Sequence, residues 1–365
     1  MIANSSTLFR YISRAFMVNA IVMTLVLLGV TFIINTIELM RRASSYPDVS
    51  MKLVLEMSAL SLPQFTQQLL PFAMLFGAIY TCWKLNKTHE LVVIRAAGIS
   101  AWQFLFPMMA AALLFGFFAT GVINPVASIF AGKYEQMQNN YLRVQSSLVA
   151  VLRTGIWLRQ PTENGYALFH SPAFEETEWK LSNVIVFFFD KSDNFVRRID
   201  SPLAYLREGH WELRQALINN PDGTTARKAV ETLPTELTAR KIEESFAAPE
   251  TISFWSIPEY IRIMEETGFP AIRLRMQFHS LLAQPFIFVA MILLAATFWL
   301  RPRRFGGAGL MIAFGVAVGF FIFFMESMLN AFGISQKIPA YLAAWTPAVV
   351  SLLLGMTALL HLEDG

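Results

Sequence analysis

AFMVNAIVMTLVLLGVTFIINTI, residues Ala15–Ile37, is the stretch that decides the architecture. It carries no Asp, Glu, Lys or Arg. A helix needs roughly 20 such residues to cross about 30 Å of hydrocarbon. Five more windows share the property: Met57–Trp83, Ala96–Gly132, Met276–Leu300, Phe305–Met325 and Ile338–Leu362. They fall in two groups of three, separated by about 150 polar, strand-like residues. Hydrocarbon supplies no water to unpaired backbone groups, so each window is expected to be a helix packed in a bundle. The segment between the groups is expected to be a separate, water-soluble domain on one face.

Composition agrees. The 365 residues are 55% hydrophobic and 15% charged, with a mean hydropathy of +0.47. Soluble domains lie nearer 25% charged. The net charge of +3 comes with no dense basic face on the soluble segment, so nucleic acid is not the expected partner. The surplus Lys and Arg read instead as membrane topology. Cys82, the one cysteine, sits within a hydrophobic window, which excludes a disulfide framework inside the chain. The first window lacks a small-x-small site before polar sequence and reads as a retained span, not a cleaved signal.

Basic clusters set the orientation. Arg10 and Arg14, then Lys84, Lys87 and Arg95, then Arg301, Arg303 and Arg304 share one side. The opposite short loops carry Arg41, Arg42, Lys52 and Lys337, partly offset by Glu38, Asp48 and Glu56. The positive-inside rule places both termini in the cytoplasm and the large middle domain outside it, in the periplasm of a Gram-negative cell. The expected layout is therefore membrane helices 1–3 in residues 1–132, a periplasmic domain in 133–270, and helices 4–6 in 271–365.

Within the middle segment, alternation at strand length marks Gly155–Arg159, Tyr166–His170, Asn183–Phe189, Val196–Ile199, Ala204–Arg207, Trp211–Arg214 and Ala216–Ile218. Turn signals separate them at Glu163-Asn164-Gly165, Asp193-Asn194, Glu208-Gly209 and Pro221-Asp222-Gly223. Such spacing predicts an all-β sandwich, barrel or jelly roll. Asn124 and Pro125 mark the outer boundary of the third window, and Ala127–Val144 extends its helix beyond the membrane. Ser256-Ile257-Pro258-Glu259 predicts a capped helix ending at Gly268.

The chain lacks GxxxxGK[ST], HExxH, GxSxG and any Cys/His cluster, so it is expected to be no enzyme and to bind no nucleotide or metal itself. Three features remain. The turn Lys84–Ser100, KLNKTHELVVIRAAGIS, predicts a short helix over about 86–98 with Thr88 as N-cap, Glu90 in the first turn and Gly98 as stop. Val92, Val93, Ala96 and Ala97 give it an apolar face, suited either to a groove on a cytoplasmic partner or to lipid headgroups. Glu38, Arg41 and Arg42 end the first window. The two arginines, being adjacent, point different ways, and they suit either bidentate phosphate contact or snorkelling to headgroups. Glu326, near Asn330 at the outer end of the fifth window, reads either as a group facing the bundle interior or as an interface residue. Gly315 and Gly319, earlier in that window, form a GxxxG pair that permits close helix approach.

The layout, together with HELVVIRAAGIS (His89–Ser100), resembles the LptF/LptG family, the permease subunits of the lipopolysaccharide export transporter. The resemblance covers nearly the whole chain. LPQFTQQLLPFAMLFGAIY (Leu62–Tyr80), GIWLR (Gly155–Arg159) and FGISQKIPAYLAAWTPAVV (Phe332–Val350) make it more similar to the LptG branch. It implies six transmembrane helices arranged 3+3 and an inserted periplasmic jelly roll. It implies an LptF-like partner in a heterodimer, a dimer of the LptB-like ATPase that carries ATP and Mg, and an LptC-like subunit. It also implies residue roles. His89, Glu90, Leu91, Arg95 and Gly98 fall in the ATPase-coupling helix, with Glu90 at its acidic position. Arg41 and Arg42 match the basic pair that approaches lipopolysaccharide phosphates, with Glu38 beside them, and Glu326 matches an acidic gate position. Asn35 departs from the pattern, standing where a further lysine is common. Other readings are the paralogous LptF subunit, a lipoprotein-release permease, or a membrane sensor or scaffold that transports nothing.

Overall fold

The computed structural model describes residues 6–44, 46, 49–142, 149–152, 155–162, 165–175, 178–221, 223–235, 248–266, 270–299 and 308–363. Expectations resting on Asp48, Glu163, Asn164, Asp222, Gly268, Arg301, Arg303 and Arg304 lie outside the described residues, as does the end of the predicted Ala127–Val144 extension.

In chain order the helices are α1 (Ser6–Ala43), α2 (Met51–Lys87), α3 (Glu90–Ala96), α4 (Ala101–Phe118), a π turn (Ala119–Ile123), α5 (Asn124–Tyr141), α6 (Ile257–Glu266), α7 (Ile272–Trp299), α8 (Ala308–Ile334) and α9 (Ala340–Glu363). The strands are β1 (Val149–Leu152), β2 (Gly155–Thr162), β3 (Gly165–Ser171), β4 (Ala173–Glu175), β5 (Lys180–Asp190), β6 (Phe195–Arg207), β7 (His210–Asn219) and β8 (Thr225–Pro234). The chain forms two compact units. One comprises Met1–Leu142, Glu250–Trp255 and Arg275–Gly365, and the other Arg143–Pro249 and Ser256–Leu274.

In the helical unit, five stretches among the described residues are long and apolar enough to cross a membrane: Ser6–Ala43, Ala101–Tyr141, Ile272–Thr297, Gly315–Ile334 and Ala340–His361. The window Met57–Trp83 lies within the single helix α2, but Gln64, Gln67, Gln68, Pro63 and Pro71 dilute its apolarity, and it falls short of the other five. From Ala101 the third window is one long helical run to Tyr141; Asn124 and Pro125 open α5 within it, and the helix continues beyond them as expected.

The core of this unit joins Ile12, Phe16 and Ala20 of α1 to Leu75 of α2, Met108 of α4 and Phe288 of α7. Close approach depends on small residues: a Cβ on Gly77 would lie 2.7 Å from Ala20 Cα. Side-chain amides bridge the same two helices, with Asn19 donating to Thr81 (2.9 Å) and Asn35 to Ser61 (2.8 Å). Asn35 therefore serves as a helix–helix tie. The predicted Gly315/Gly319 pair faces Phe76, Ile79 and Phe72 and seats α8 against α2.

The β unit is an antiparallel sheet of order β1-β2-β3-β5-β6-β7-β8, with β4 paired to β5 off that path. Sequential hairpins make this a meander, in place of the crossed connections of a jelly roll. The predicted strands Val196–Ile199 and Ala204–Arg207 are one strand, β6, and Trp211–Arg214 and Ala216–Ile218 are one strand, β7. Polar Ser201, which interrupts the apolar pattern, is buried and donates to the Leu203 and Arg214 carbonyls, so β6 continues through it. Gln215 holds a positive φ of 54° within β7 without ending it. One face buries Phe169, Val186, Ile199, Trp211 and Leu213, with Phe169 and Trp211 ring centroids 5.4 Å apart.

The hairpin between β5 and β6 is organised by Asp190. Its carboxylate accepts from the Ser192 and Asn194 amides (2.8 and 2.9 Å) and from the Asn194 side chain (3.0 Å). These bonds favour the charged form and hold its pKa below the ordinary 3.8. A carboxyl with a depressed folded pKa contributes stability above its unfolded pKa and loses it as pH falls through the folded one. Asp190→Ala should therefore lower the melting temperature of the β unit at pH 7, and the gap to wild type should close below about pH 4. Melts of the full chain in detergent across pH, followed by strand circular dichroism, check this. Gly77→Ala should force α1 from α2 and destabilise the helical unit by about 1–3 kcal/mol, read as a lower unfolding midpoint in the same detergent.

Candidate functional site

Two places on the helical unit carry the residues singled out above. At one end of α1, Leu39 and Ala43 are buried with Val54, Met57 and Leu142, which fixes the last turns of the helix. Glu38, Arg41 and Arg42 occupy the outward side. Arg41 Nε and Nη2 donate to Glu38 Oε2 and Oε1 (2.9 and 2.8 Å), and Arg42 Nε donates to Glu38 Oε1 (2.8 Å). The expectation that the arginines point apart is thus corrected: spacings of three and four bring both guanidiniums back over one carboxylate. Their side chains stay 74% and 55% exposed.

The second place is α3. Thr88 is not its N-cap, as expected, but the C-cap of α2, and its hydroxyl donates to Glu90 Oε1 (2.8 Å). His89 enters α3 with a left-handed φ of 60° and makes no side-chain cap. Gly98, at φ +79°, follows the last turn as predicted, where a side chain would strain the backbone. Leu91 and Ile94 pack onto the helical core, while Val92 and Val93 stand 56% and 68% exposed and Arg95, Ala96 and Ala97 are exposed with them. The helix is anchored on one side and leaves an apolar face uncovered on the other. Glu90 is held at both oxygens, since Tyr11 of α1 donates to Oε2 at 2.8 Å. Sequence reasoning missed Tyr11, which is 79 positions away and has no pattern linking it to the turn.

Glu326 is half-buried on α8, as is Asn330, and neither is brought to the other two places by a described hydrogen bond. The same helix exposes Phe320, Phe321, Phe323 and Phe324, and α1 separately exposes Leu25, Ile33 and Ile34. A polar seam was also missed. Asn124 donates to Gln67 (3.1 Å) and accepts from the Phe254 amide (2.7 Å), Gln284 donates to the Gln67 carbonyl (3.2 Å), and the Trp255 indole donates to the Gly121 carbonyl (3.0 Å). Buried glutamines and asparagines inside charge-free windows were the available signal. Among the described residues no group of three or more His, Cys, Asp or Glu converges as a metal site would require.

Long apolar helices before and after an inserted antiparallel β domain, with a short helix of exposed apolar face between two of them, define an integral membrane protein of the permease class. The family model for the lipopolysaccharide export system permeases LptF/LptG matches residues 10–361, so the chain belongs to that family. It is 25% identical over 355 residues to the lipopolysaccharide export system permease protein LptG of Haemophilus influenzae, covering 94% of this chain and 96% of that one. It is 23% identical over 364 residues to the protein of the same name from Escherichia coli K12, covering 96% and 97%.

Proposed function

We propose that this lipopolysaccharide export permease subunit extracts lipopolysaccharide from the inner membrane and passes it to a periplasmic bridge, driven by an ATPase docked on α3. The observation that carries the coupling is the uncovered face of α3, Val92 and Val93 beside Arg95, on a helix pinned from behind by Leu91 and Ile94. An apolar helical face of this kind fits a groove on a partner. The chain itself performs no catalysis and binds no cofactor in this reading; ATP and Mg belong to an LptB-like ATPase dimer.

Six helices span the membrane in a 3+3 arrangement, α2 being the sixth despite its glutamines. Residues 1–132 and 271–365 form the membrane part and 133–270 the periplasmic domain, with both termini cytoplasmic as the basic clusters require. An LptF-like permease completes the cavity and an LptC-like subunit joins it. Acyl chains enter against the exposed phenylalanines of α8 and aliphatics of α1, and phosphates exchange Glu38 for themselves on Arg41 and Arg42. Glu326 lies on the gate-forming helix. ATP-driven closure moves α3, narrows the cavity and sends the lipid towards the β domain.

Affinity purification of the tagged chain in mild detergent, with mass spectrometry of proteins and lipids, tests the assembly. A homologous permease, a small ATPase and bound lipopolysaccharide are expected; recovery of a lone chain or only a signalling partner would favour a sensor or scaffold. Arg41→Ala with Arg42→Ala should cut the lipopolysaccharide retained by the purified complex by roughly ten-fold or more through loss of charge-assisted contacts, and unchanged retention removes the pair from the binding role. Glu90→Ala or Glu90→Lys should uncouple export with the complex assembled or weakly assembled. Normal export by either variant defeats the coupling role of α3.

A further inference from the structure

Resting on the reading of α3 as the ATPase dock, we infer that Tyr11 is a positioning residue that transmits movement of α3 to α1 through its hydrogen bond to Glu90. α3 is attached to the helical core from behind by Leu91 and Ile94, both apolar. Apolar contacts resist separation but have no preferred direction along the surface, so by themselves they let a short helix slide. A hydrogen bond to a carboxylate is directional and short. Tyr11 Oη to Glu90 Oε2, at 2.8 Å, is such a bond between α3 and α1, and the Thr88 hydroxyl lies 2.8 Å from the other oxygen.

What lies beyond Tyr11 gives the bond its consequence. α1 is continuous from Ser6 to Ala43 and contains neither proline nor a π turn. Tyr11 and Arg41 are thirty residues apart on it, about 45 Å at 1.5 Å per residue. One unbroken helix therefore joins the residue that grips the dock to the arginines at its far end. Along that length α1 is tied to its neighbours at few polar points: Ser13 to the Pro107 carbonyl, Asn19 to Thr81 and Asn35 to Ser61. Its middle exposes Leu25, Val26 and Val30. A displacement entering at Tyr11 is carried by the helix as a rigid body.

The test uses the full complex of both permeases and the ATPase in proteoliposomes with lipopolysaccharide, and reads lipopolysaccharide released per ATP hydrolysed. Tyr11→Phe removes one oxygen and keeps the ring. It should recover the ATPase as wild type does, yet lower that ratio several-fold. Combined with Glu90→Ala it should lower the ratio no further than Glu90→Ala alone, because Tyr11 acts through that carboxylate. A wild-type ratio in Tyr11→Phe, or two independent losses that multiply, overturns the proposal and leaves the docking reading standing; that reading fails separately, on a wild-type chain that recovers no ATPase. Should Tyr11→Phe prevent assembly, Tyr11→His retains a ring donor and should keep most of the ratio. An assembled Tyr11→His complex with the ratio of Glu90→Ala overturns the inference.

Discussion

Hydrocarbon offers no hydrogen bonds, and the helical unit is organised around that fact. Each backbone amide and carbonyl has to be paired inside the chain, which makes long uninterrupted helices the form these windows take. Polar side chains within them meet the same demand. Asn19, Asn35, Thr120 and Gln284 each donate to an oxygen on another helix, so residues unwelcome in lipid become the points that set which helices are neighbours. Lipid gives little hydrophobic drive for helix pairing, and close packing supplies the rest, as where α2 meets Ala20 at Gly77.

The same accounting separates the two ends of α1. Its buried residues cluster near each end, Ile12, Phe16 and Ala20 at one and Leu39 and Ala43 at the other. Between them the helix presents apolar side chains outward. At the far end, a single carboxylate neutralises part of a double positive charge through three hydrogen bonds from two arginines of its own helix. At the near end, Glu90 is occupied from two directions. One acid is held by donors of its own helix, the other by donors of α1 and α2, so only the second ties separate helices together.

Much of this was legible in the sequence. Charge-free windows marked the helices, and turn residues such as Asp193-Asn194 and Glu208-Gly209 marked the hairpins, because both signals are local. The LptF/LptG family was readable from HELVVIRAAGIS and the layout together. Strand continuity was not: Ser201 and Gln215 look like breaks until their neighbours show that a buried hydroxyl is satisfied and a positive φ is absorbed. The meander order was also hidden, since alternation gives strands without their pairing. The site was half legible. Residue types and spacing singled out Glu38, Arg41, Arg42 and Glu90, but the hydrogen bond from Tyr11 depends on two segments 79 residues apart meeting in space. Thr88 was assigned to the wrong helix because a threonine before an acidic turn satisfies the capping pattern equally well from the end of α2.

The π turn at Ala119–Ile123 has a consequence for the phase of the helix that contains it. The buried positions Met108, Ala112, Gly116, Thr120 and Asn124 advance four residues at a time. In a regular α-helix each such step overshoots a full turn by about 40°, so this line would wind out of the interior. The wider turn, in which the Asn124 amide reaches back five residues to the Ala119 carbonyl, takes up the drift and returns Ala127, Ser128 and Ala131 to the inside. The two halves of this long span are thereby indexed independently. Substitutions that turned this segment into regular α-helix at unchanged length would rotate everything beyond by about 100°, carrying Asn124 out of reach of Gln67, whereas deleting one residue there would remove the extra residue and keep the phase.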